Sequence, residues 1–132
     1  KADSVLLQKV EILCGDFAQT GEYAGQDVLY YFDPPYRPLT ETSAFTSYAT
    51  GGFDDAEQTR LRDFCDEIAR NKSMFVASNS DPKNVDSEDK FFDKLYEMFN
   101  IKRVSAARMI NSKADGRGAI SEIMISNVAN AY

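Results

Sequence analysis

The residues of this chain whose types and spacing best suit chemistry are Asp33-Pro34-Pro35-Tyr36. They follow an apolar run at residues 28–32 that predicts a buried strand, and open α/β sheets carry their sites at the carboxyl ends of strands. The two prolines fix φ and remove two backbone N–H donors, so we expect a stiff segment. Such a segment presents a carboxylate, bare carbonyls and an aromatic ring in fixed relation, which suits a flat substrate bearing an amino group.

Each of these residues also has a purely structural interpretation. Asp33 can cap its own turn, since aspartate side chains often hydrogen-bond to nearby backbone N–H groups. Tyr36 can be a core residue, since most aromatic side chains pack in the interior. The tetrapeptide as a unit, placed directly after a predicted strand, favours the functional interpretation.

Composition limits the classes of protein to consider. The 132 residues suit one domain over positions 1–132, and the 43% hydrophobic and 27% charged content is ordinary for a soluble globular protein. No apolar run approaches the ~20 residues of a membrane span. Without histidine, histidine acid–base catalysis and most zinc sites are excluded, and we predict no metal site. A net charge of −6 argues against DNA binding by this stretch alone, because binding to phosphates needs a basic surface.

Two cysteines, Cys14 and Cys65, are too few and too distant in sequence for a disulfide scaffold. Cys65 falls on the apolar face of a predicted helix, so we expect a buried, reduced thiol. A reduced thiol fits a cytoplasmic protein.

Hydrophobic periodicity predicts the order of the elements. A polar loop or ragged short helix is expected at residues 18–27, and an aperiodic loop at 37–53. The other predicted elements are a short helix at 4–10, strands at 10–13, 28–32 and 74–78, helices from Asp54 to about residue 72 and from about Asp86 to Phe99, and strands at 101–110 and 119–127. This order predicts an α/β fold with a mostly parallel sheet and a C-terminal antiparallel hairpin strand.

Asp-Pro-Pro-Tyr after a strand resembles the catalytic motif of amino-methyltransferases that use S-adenosylmethionine. Neighbouring residues narrow the resemblance to DNA adenine methyltransferases of the Dam type, the D12 class. The supporting matches are Cys14-Gly15-Asp16-Phe17, Phe45-Thr46-Ser47-Tyr48, Gly52-Phe53, Ser78-Asn79-Ser80-Asp81, Asn111-Ser112-Lys113 and residues 122–127. The resemblance covers nearly the whole chain but only the C-terminal half of the family, and it implies a partial Rossmann-like methyltransferase fold.

The resemblance also implies roles for the residues at the two strand ends. Asp33 and the Pro34 carbonyl would accept hydrogens from the exocyclic amine of a target adenine, and Tyr36 would stack on the flipped-out base. Asp16, Phe17 and Asp33 would contact the cofactor, S-adenosylmethionine. For Asp16 the alternative is an ordinary turn.

Further substrate contacts are implied in two later segments. Phe45 and Tyr48 would belong to a loop that closes over the same base, with simple packing as an equal alternative. Arg108, Lys113 and Arg117 flank a glycine-bearing loop near the end of the chain and would contact phosphates beside the flipped nucleotide. The alternative is a solvated hairpin tip.

The family resemblance implies an upstream glycine-rich cofactor loop and a DNA-reading insert, which this sequence lacks. We therefore expect double-stranded DNA to be the partner of the complete protein and the isolated piece to be inactive. The strand at 28–32 would expose an edge, which favours self-association. Two alternatives stay open: a methyltransferase acting on an RNA adenine or a protein glutamine, and a non-catalytic module that pairs with a separate half.

Overall fold

The computed structural model describes residues 5, 7–40, 52–106 and 120–128. Its strands are β1 (Leu29–Phe32), β2 (Met74–Ser80), β3 (Asn100–Ala106) and β4 (Ile120–Ser126), and its α-helices are α1 (Asp55–Arg70) and α2 (Phe91–Leu95). Two 3₁₀ helices span Phe17–Tyr23 and Pro82–Asn84. Within these ranges no helix is long and apolar enough to cross a membrane.

The four strands form one sheet in the order β1-β2-β4-β3. β1 and β2 are parallel, whereas β4 runs antiparallel to both β2 and β3. The predicted C-terminal hairpin is therefore confirmed, but the prediction of a mostly parallel sheet is wrong, because the sheet is mixed. Ile123 and Ile125 of β4 are 0% and 1% exposed, so the apolar face of β4 is buried at the centre of the sheet instead of at its edge.

Helix α1 begins where the sequence predicts. The Asp54 side chain accepts a hydrogen bond from the Glu57 backbone N–H at 2.9 Å, which caps the helix. Glu57 does not complete a reciprocal capping box, because its carboxylate pairs with Arg60 at 2.6 Å. The apolar stripe of α1, made of Leu61, Phe64, Cys65 and Ile68, is buried. Its Phe64 ring contacts Tyr30 and Phe32 of β1 with ring centroids 6.1 and 6.0 Å apart.

Cys65 is 0% exposed and unpaired, as predicted, and burial raises the pKa of its thiol to about 12. Cys14 is also free but exposed. The core around Cys65 is rich in phenylalanine and tyrosine. Its buried hydrophobic members are Tyr30, Leu61, Phe64, Cys65, Ile68, Phe75, Ala77, Phe92, Tyr96, Ile123 and Ile125.

The predicted strand at residues 10–13 is wrong. These residues have irregular backbone structure, and the Ile12 side chain is 89% exposed. An extended segment becomes a strand only when its backbone groups find a ladder partner, and no described strand pairs with this one. Of the predicted helix at 4–10, Val5 and Leu7 are helical.

The second predicted helix is much shorter than expected. Instead of running from Asp86 to Phe99, α2 spans only Phe91–Leu95. Asp86 accepts from the Glu88 N–H at 2.9 Å and Asp89 accepts from the Phe91 N–H at 2.9 Å. These local bonds compete with helical hydrogen bonding and delay the start of the helix.

Candidate active site

The carboxyl end of β1 opens onto a cavity of about 310 Å³. Asp33 and Pro34 line it from the strand end, and Phe17 lines it from the preceding 3₁₀ helix. Gly15 borders it with a φ of 145°, a backbone conformation that strains other residues. The remaining lining residues are Tyr31, Phe32, Pro35, Phe53 and Leu61. Asp33 and Pro34, predicted for catalysis, thus meet Phe17, predicted for cofactor binding, at one cavity.

A larger hollow of about 520 Å³ lies along α1. Its walls are charged side chains such as Arg62, Asp66 and Arg70, and two of these, Arg70 and Asp66, pair with each other. It lacks the apolar walls with a few convergent polar groups that mark a ligand site, so the cavity at β1 is the better candidate.

Asp33 is exposed and directly follows β1. Its Oδ1 accepts a hydrogen bond at 3.2 Å from the hydroxyl of Ser78 on the parallel neighbour β2. Among described residues, neither Asp33 Oδ2 nor the Pro34 carbonyl has a hydrogen-bond partner. One carboxylate oxygen is therefore oriented by the sheet, while the other and the adjacent carbonyl can accept from a ligand.

Tyr36 is half-buried and lies toward β4. Its hydroxyl is 3.3 Å from Oε2 of Glu122. Burial raises the pKa of Tyr36, a hydrogen bond with Ser78 opposes this, and the charge of Glu122 raises it further. The phenol therefore stays protonated and donates to Glu122. Tyr36 does not line the 310 Å³ cavity, whereas its neighbour Pro35 does.

Asp16 caps the first 3₁₀ helix by accepting from the Ala18 N–H at 2.9 Å. Arg60 of α1 holds both carboxylate oxygens, at 3.0 and 2.7 Å, and this hydrogen bonding lowers the pKa of Asp16. Asp16 thus has a structural role as a helix cap, where the sequence offered an ordinary turn as the alternative to cofactor binding. Acceptor capacity remains on Oδ2, because a carboxylate oxygen accepts more than one hydrogen.

Phe17 forms an aromatic wall of the cavity. Its ring lies 5.4 Å from the Phe64 ring and 6.4 Å from the Phe53 ring, measured between centroids. The Arg60 guanidinium stacks 4.2 Å from the centre of the Phe17 ring. Arg60 therefore fixes Asp16 and Phe17, two of the three residues predicted to contact the cofactor.

Two residues hold the segment Asp33-Pro34-Pro35-Tyr36 in a role that the sequence did not predict. Gln58 on α1 is 0% exposed, and Asn79 is 3% exposed within β2, which runs to Ser80 instead of ending at Ser78. Both bond to the segment around Tyr36. A sequence signal existed for Gln58, which lies three residues before Leu61 and seven before Cys65 and so breaks the buried stripe of α1 with a polar side chain.

Five predicted site residues lie outside the described ranges, so their roles stay predictions. They are Phe45, Tyr48, Arg108, Lys113 and Arg117. Over the described part of the chain, no group of three histidine, cysteine, aspartate or glutamate side chains is placed to bind a metal ion.

The Asp16–Arg60 pair predicts sensitivity to acid. Hydrogen bonding lowers the folded-state pKa of Asp16 below its usual 3.8, so the pair stabilises the fold above that pH and loses this effect as pH falls through the folded pKa. We expect the Arg60→Ala variant to show a shallower loss of stability than the parent below about pH 4 in urea unfolding. Lys94→Ala, at an exposed lysine with no ion pair among the described residues, is the control and should follow the parent curve. Parallel curves for the parent and Arg60→Ala would contradict the prediction.

Comparison with known proteins matches residues 1–110 to a sequence model of the D12 class N6 adenine-specific DNA methyltransferases. The Type II methyltransferase M.MjaIII of Methanocaldococcus jannaschii is 49% identical over 94% of this chain and 41% of its own length. The Type II methyltransferase M1.LlaDCHI of Lactococcus lactis is 40% identical over 92% of this chain and 40% of its own length. A DNA adenine methylase of Haemophilus influenzae is 34% identical over 89% of this chain and 39% of its own length. The chain spans about two fifths of the length of these curated relatives.

Proposed function

This chain belongs to the D12 class N6 adenine-specific DNA methyltransferases, and we propose that it carries the catalytic motif of an enzyme that methylates adenine in DNA. The methyl group would pass from S-adenosylmethionine to the exocyclic amine of a flipped-out adenine. The observation that carries the proposal is the cavity joining Asp33, Pro34 and Phe17 at the carboxyl end of β1.

Asp33 and Pro34 would act on the target amine. An aromatic amine lends its lone pair to the ring and is a poor nucleophile. Hydrogen bonds from the amine to Asp33 Oδ2 and to the Pro34 carbonyl would strengthen as the nitrogen becomes tetrahedral, which favours the transition state over the ground state. The open acceptor atoms at this strand end support that role.

The described residues fit part of a cofactor site. A 310 Å³ cavity is at the lower end of the range for small-molecule sites, so it would hold one portion of S-adenosylmethionine. Phe17 offers a ring face, and Asp16 keeps an acceptor for an amino group. When bound, the cofactor supplies an electrophilic methyl group on a sulfonium. The chain's own task is to orient the two reactants.

Two finer assignments belong to the same proposal. The parallel pair β1 and β2, joined through α1, is a βαβ unit and supports a Rossmann-like sheet. Double-stranded DNA would be the partner of the complete protein. This chain has a net charge of −6, so most of the basic surface that binds DNA phosphates would lie in another part of the complete protein. Arg108, Lys113 and Arg117 would add local phosphate contacts.

The test is methylation by the protein at its full length. Double-stranded DNA, RNA and a glutamine-containing protein would be incubated in turn with S-adenosylmethionine carrying a labelled methyl group, and the products identified by mass spectrometry. We expect N6-methyladenine in DNA. Label in RNA or protein alone would transfer the assignment to that substrate, and no label in any substrate would favour the non-catalytic module.

The free edge of β1 carries a prediction about association. In the described residues β1 pairs with β2 on one side only, and Leu29 and Tyr31 are 60% and 68% exposed. Unpaired apolar edges invite pairing with another chain, so we expect this chain to form dimers or larger species in sedimentation experiments. Leu29→Lys should shift the population toward monomer. A parent that stays monomeric at high concentration, with residues 29–32 protected from hydrogen exchange, would contradict the prediction.

A further inference from the structure

We propose that Gln58 and Asn79 act as a buried amide pair that fixes the backbone on both sides of Tyr36 and so positions the ring for the target base. The inference rests on the proposed function, and it makes Gln58 and Asn79 positioning residues that do not themselves touch the substrate.

The pair holds the backbone on each side of Tyr36. Gln58 Nε2 donates to the Pro35 carbonyl at 3.1 Å, on the N-terminal side of Tyr36. Asn79 Oδ1 accepts from the Arg37 N–H at 2.9 Å, on the C-terminal side. Asn79 Nδ2 donates to Gln58 Oε1 at 3.0 Å and joins the two contacts. Tyr36 is therefore held between a helix and a strand.

Neighbouring contacts reinforce the C-terminal side. The Ser80 hydroxyl donates to the Arg37 carbonyl at 2.7 Å. The Arg37 guanidinium binds both oxygens of Asp55 at 2.7 and 3.1 Å, contacts Asp89 at 3.1 Å, and lies 4.3 Å from the centre of the Phe91 ring. Strand β2, helix α1, helix α2 and the segment just before α2 thus converge on the residue after Tyr36.

Burial argues that the amides do more than fill space. Gln58 is 0% exposed and Asn79 is 3% exposed, and a buried amide is unfavourable unless its hydrogen bonds are made. An apolar residue at position 58 would continue the buried stripe of α1. The Gln58 amide instead donates a hydrogen bond to the carbonyl of Pro35. The preceding carbonyl, on Pro34, has no hydrogen-bond partner among described residues.

The first arm of the test measures the geometry without any activity. Hydrogen exchange of the Arg37 amide would be followed by NMR in the parent, Gln58→Met, Asn79→Ala and the double variant. The Arg37 N–H bonds to Asn79, and Asn79 is held in turn by its bond to Gln58. We therefore expect at least roughly 10-fold faster exchange of this amide in each variant while the α1 amides stay protected. Ile68→Val, at a buried site ten residues beyond Gln58 on the same helix, is the control. An unchanged Arg37 amide would overturn the inference.

The second arm measures function in the protein at its full length. Stacking of a base on an aromatic ring contributes roughly 5- to 150-fold to binding, so we expect Gln58→Met, which frees the Tyr36 ring from its position, to raise KM for DNA by about 10-fold. KM for S-adenosylmethionine should stay within about 2-fold of the parent. A variant that is only less stable would instead lower kcat and leave both KM values unchanged.

The double variant separates a joined pair from two independent contacts. Because Gln58 and Asn79 act through one shared hydrogen bond, the changes in KM for DNA should be clearly less than multiplicative. Multiplicative effects, or a fall in kcat alone, would overturn the inference while leaving the proposed function intact. A parent protein that forms no N6-methyladenine would refute the proposed function first and the inference with it.

Discussion

Replacing Asp33 with alanine is expected to reduce methyl transfer by about 100- to 1,000-fold, the range for removing one group that stabilises a transition state. The carboxylate is exposed at the end of β1 and has one oxygen without a described partner, so its loss removes an acceptor for the amine without opening a hole in the core. The measurement is single-turnover transfer of labelled methyl groups to DNA by the protein at its full length.

Two further variants define what the Asp33 carboxylate does. Asp33→Asn keeps one acceptor and adds a donor, so its rate should fall between those of the parent and Asp33→Ala. Asp63→Ala removes an exposed carboxylate of α1, on the wall of the other hollow, and should leave the rate unchanged. Near-normal turnover by a folded Asp33→Ala protein would refute the assigned role.

Replacing Phe75 with alanine is expected to cost about 3–5 kcal/mol of folding free energy, the usual range for truncating a buried phenylalanine. Phe75 is 0% exposed in β2 and contacts rings on both sides, Phe32 at 6.5 Å and Phe99 at 4.9 Å between centroids. Because small domains have only about 5–15 kcal/mol of stability in total, this one change should remove a large part of it.

Urea denaturation followed by circular dichroism provides the measurement for Phe75→Ala. The matched control is Leu29→Ala on the neighbouring strand, where the side chain is 60% exposed and the expected change is within about 0.5 kcal/mol. Equal losses in the two variants would mean that the core is not centred on β2.

The elements that the sequence predicted well are those whose signal is local. The start of α1 depends on Asp54 and the N–H groups just after it, and its buried stripe depends on spacing within one helix. β1 and β2 are short apolar runs next to turn residues. Before α2, local hydrogen bonds to Asp86 and Asp89 compete with helical ones. Hydrophobic spacing does not reveal this competition, so the predicted start of that helix is wrong.

Contacts between residues distant in sequence had no comparable signal. The place of β4 between β2 and β3 depends on which apolar face is most completely buried when the whole sheet forms. The pairing of Asp16 with Arg60 spans 44 residues, and that of Asn79 with Gln58 spans 21. Side-chain types show that such groups can bond, but not which partners the folded chain brings within reach.

The amino-acid sequence by itself determined the motif, its place at the end of a strand and the family to which these residues point. Stiff prolines and an apolar run are properties of adjacent residues, so they can be recognised in the sequence before the fold is known. Only the tertiary structure decided that Phe17 and Asp33 share a cavity and that Gln58 and Asn79 hold the backbone around Tyr36. Those relations arise from packing α1 against β1 and β2, which places side chains from separate segments within hydrogen-bond distance.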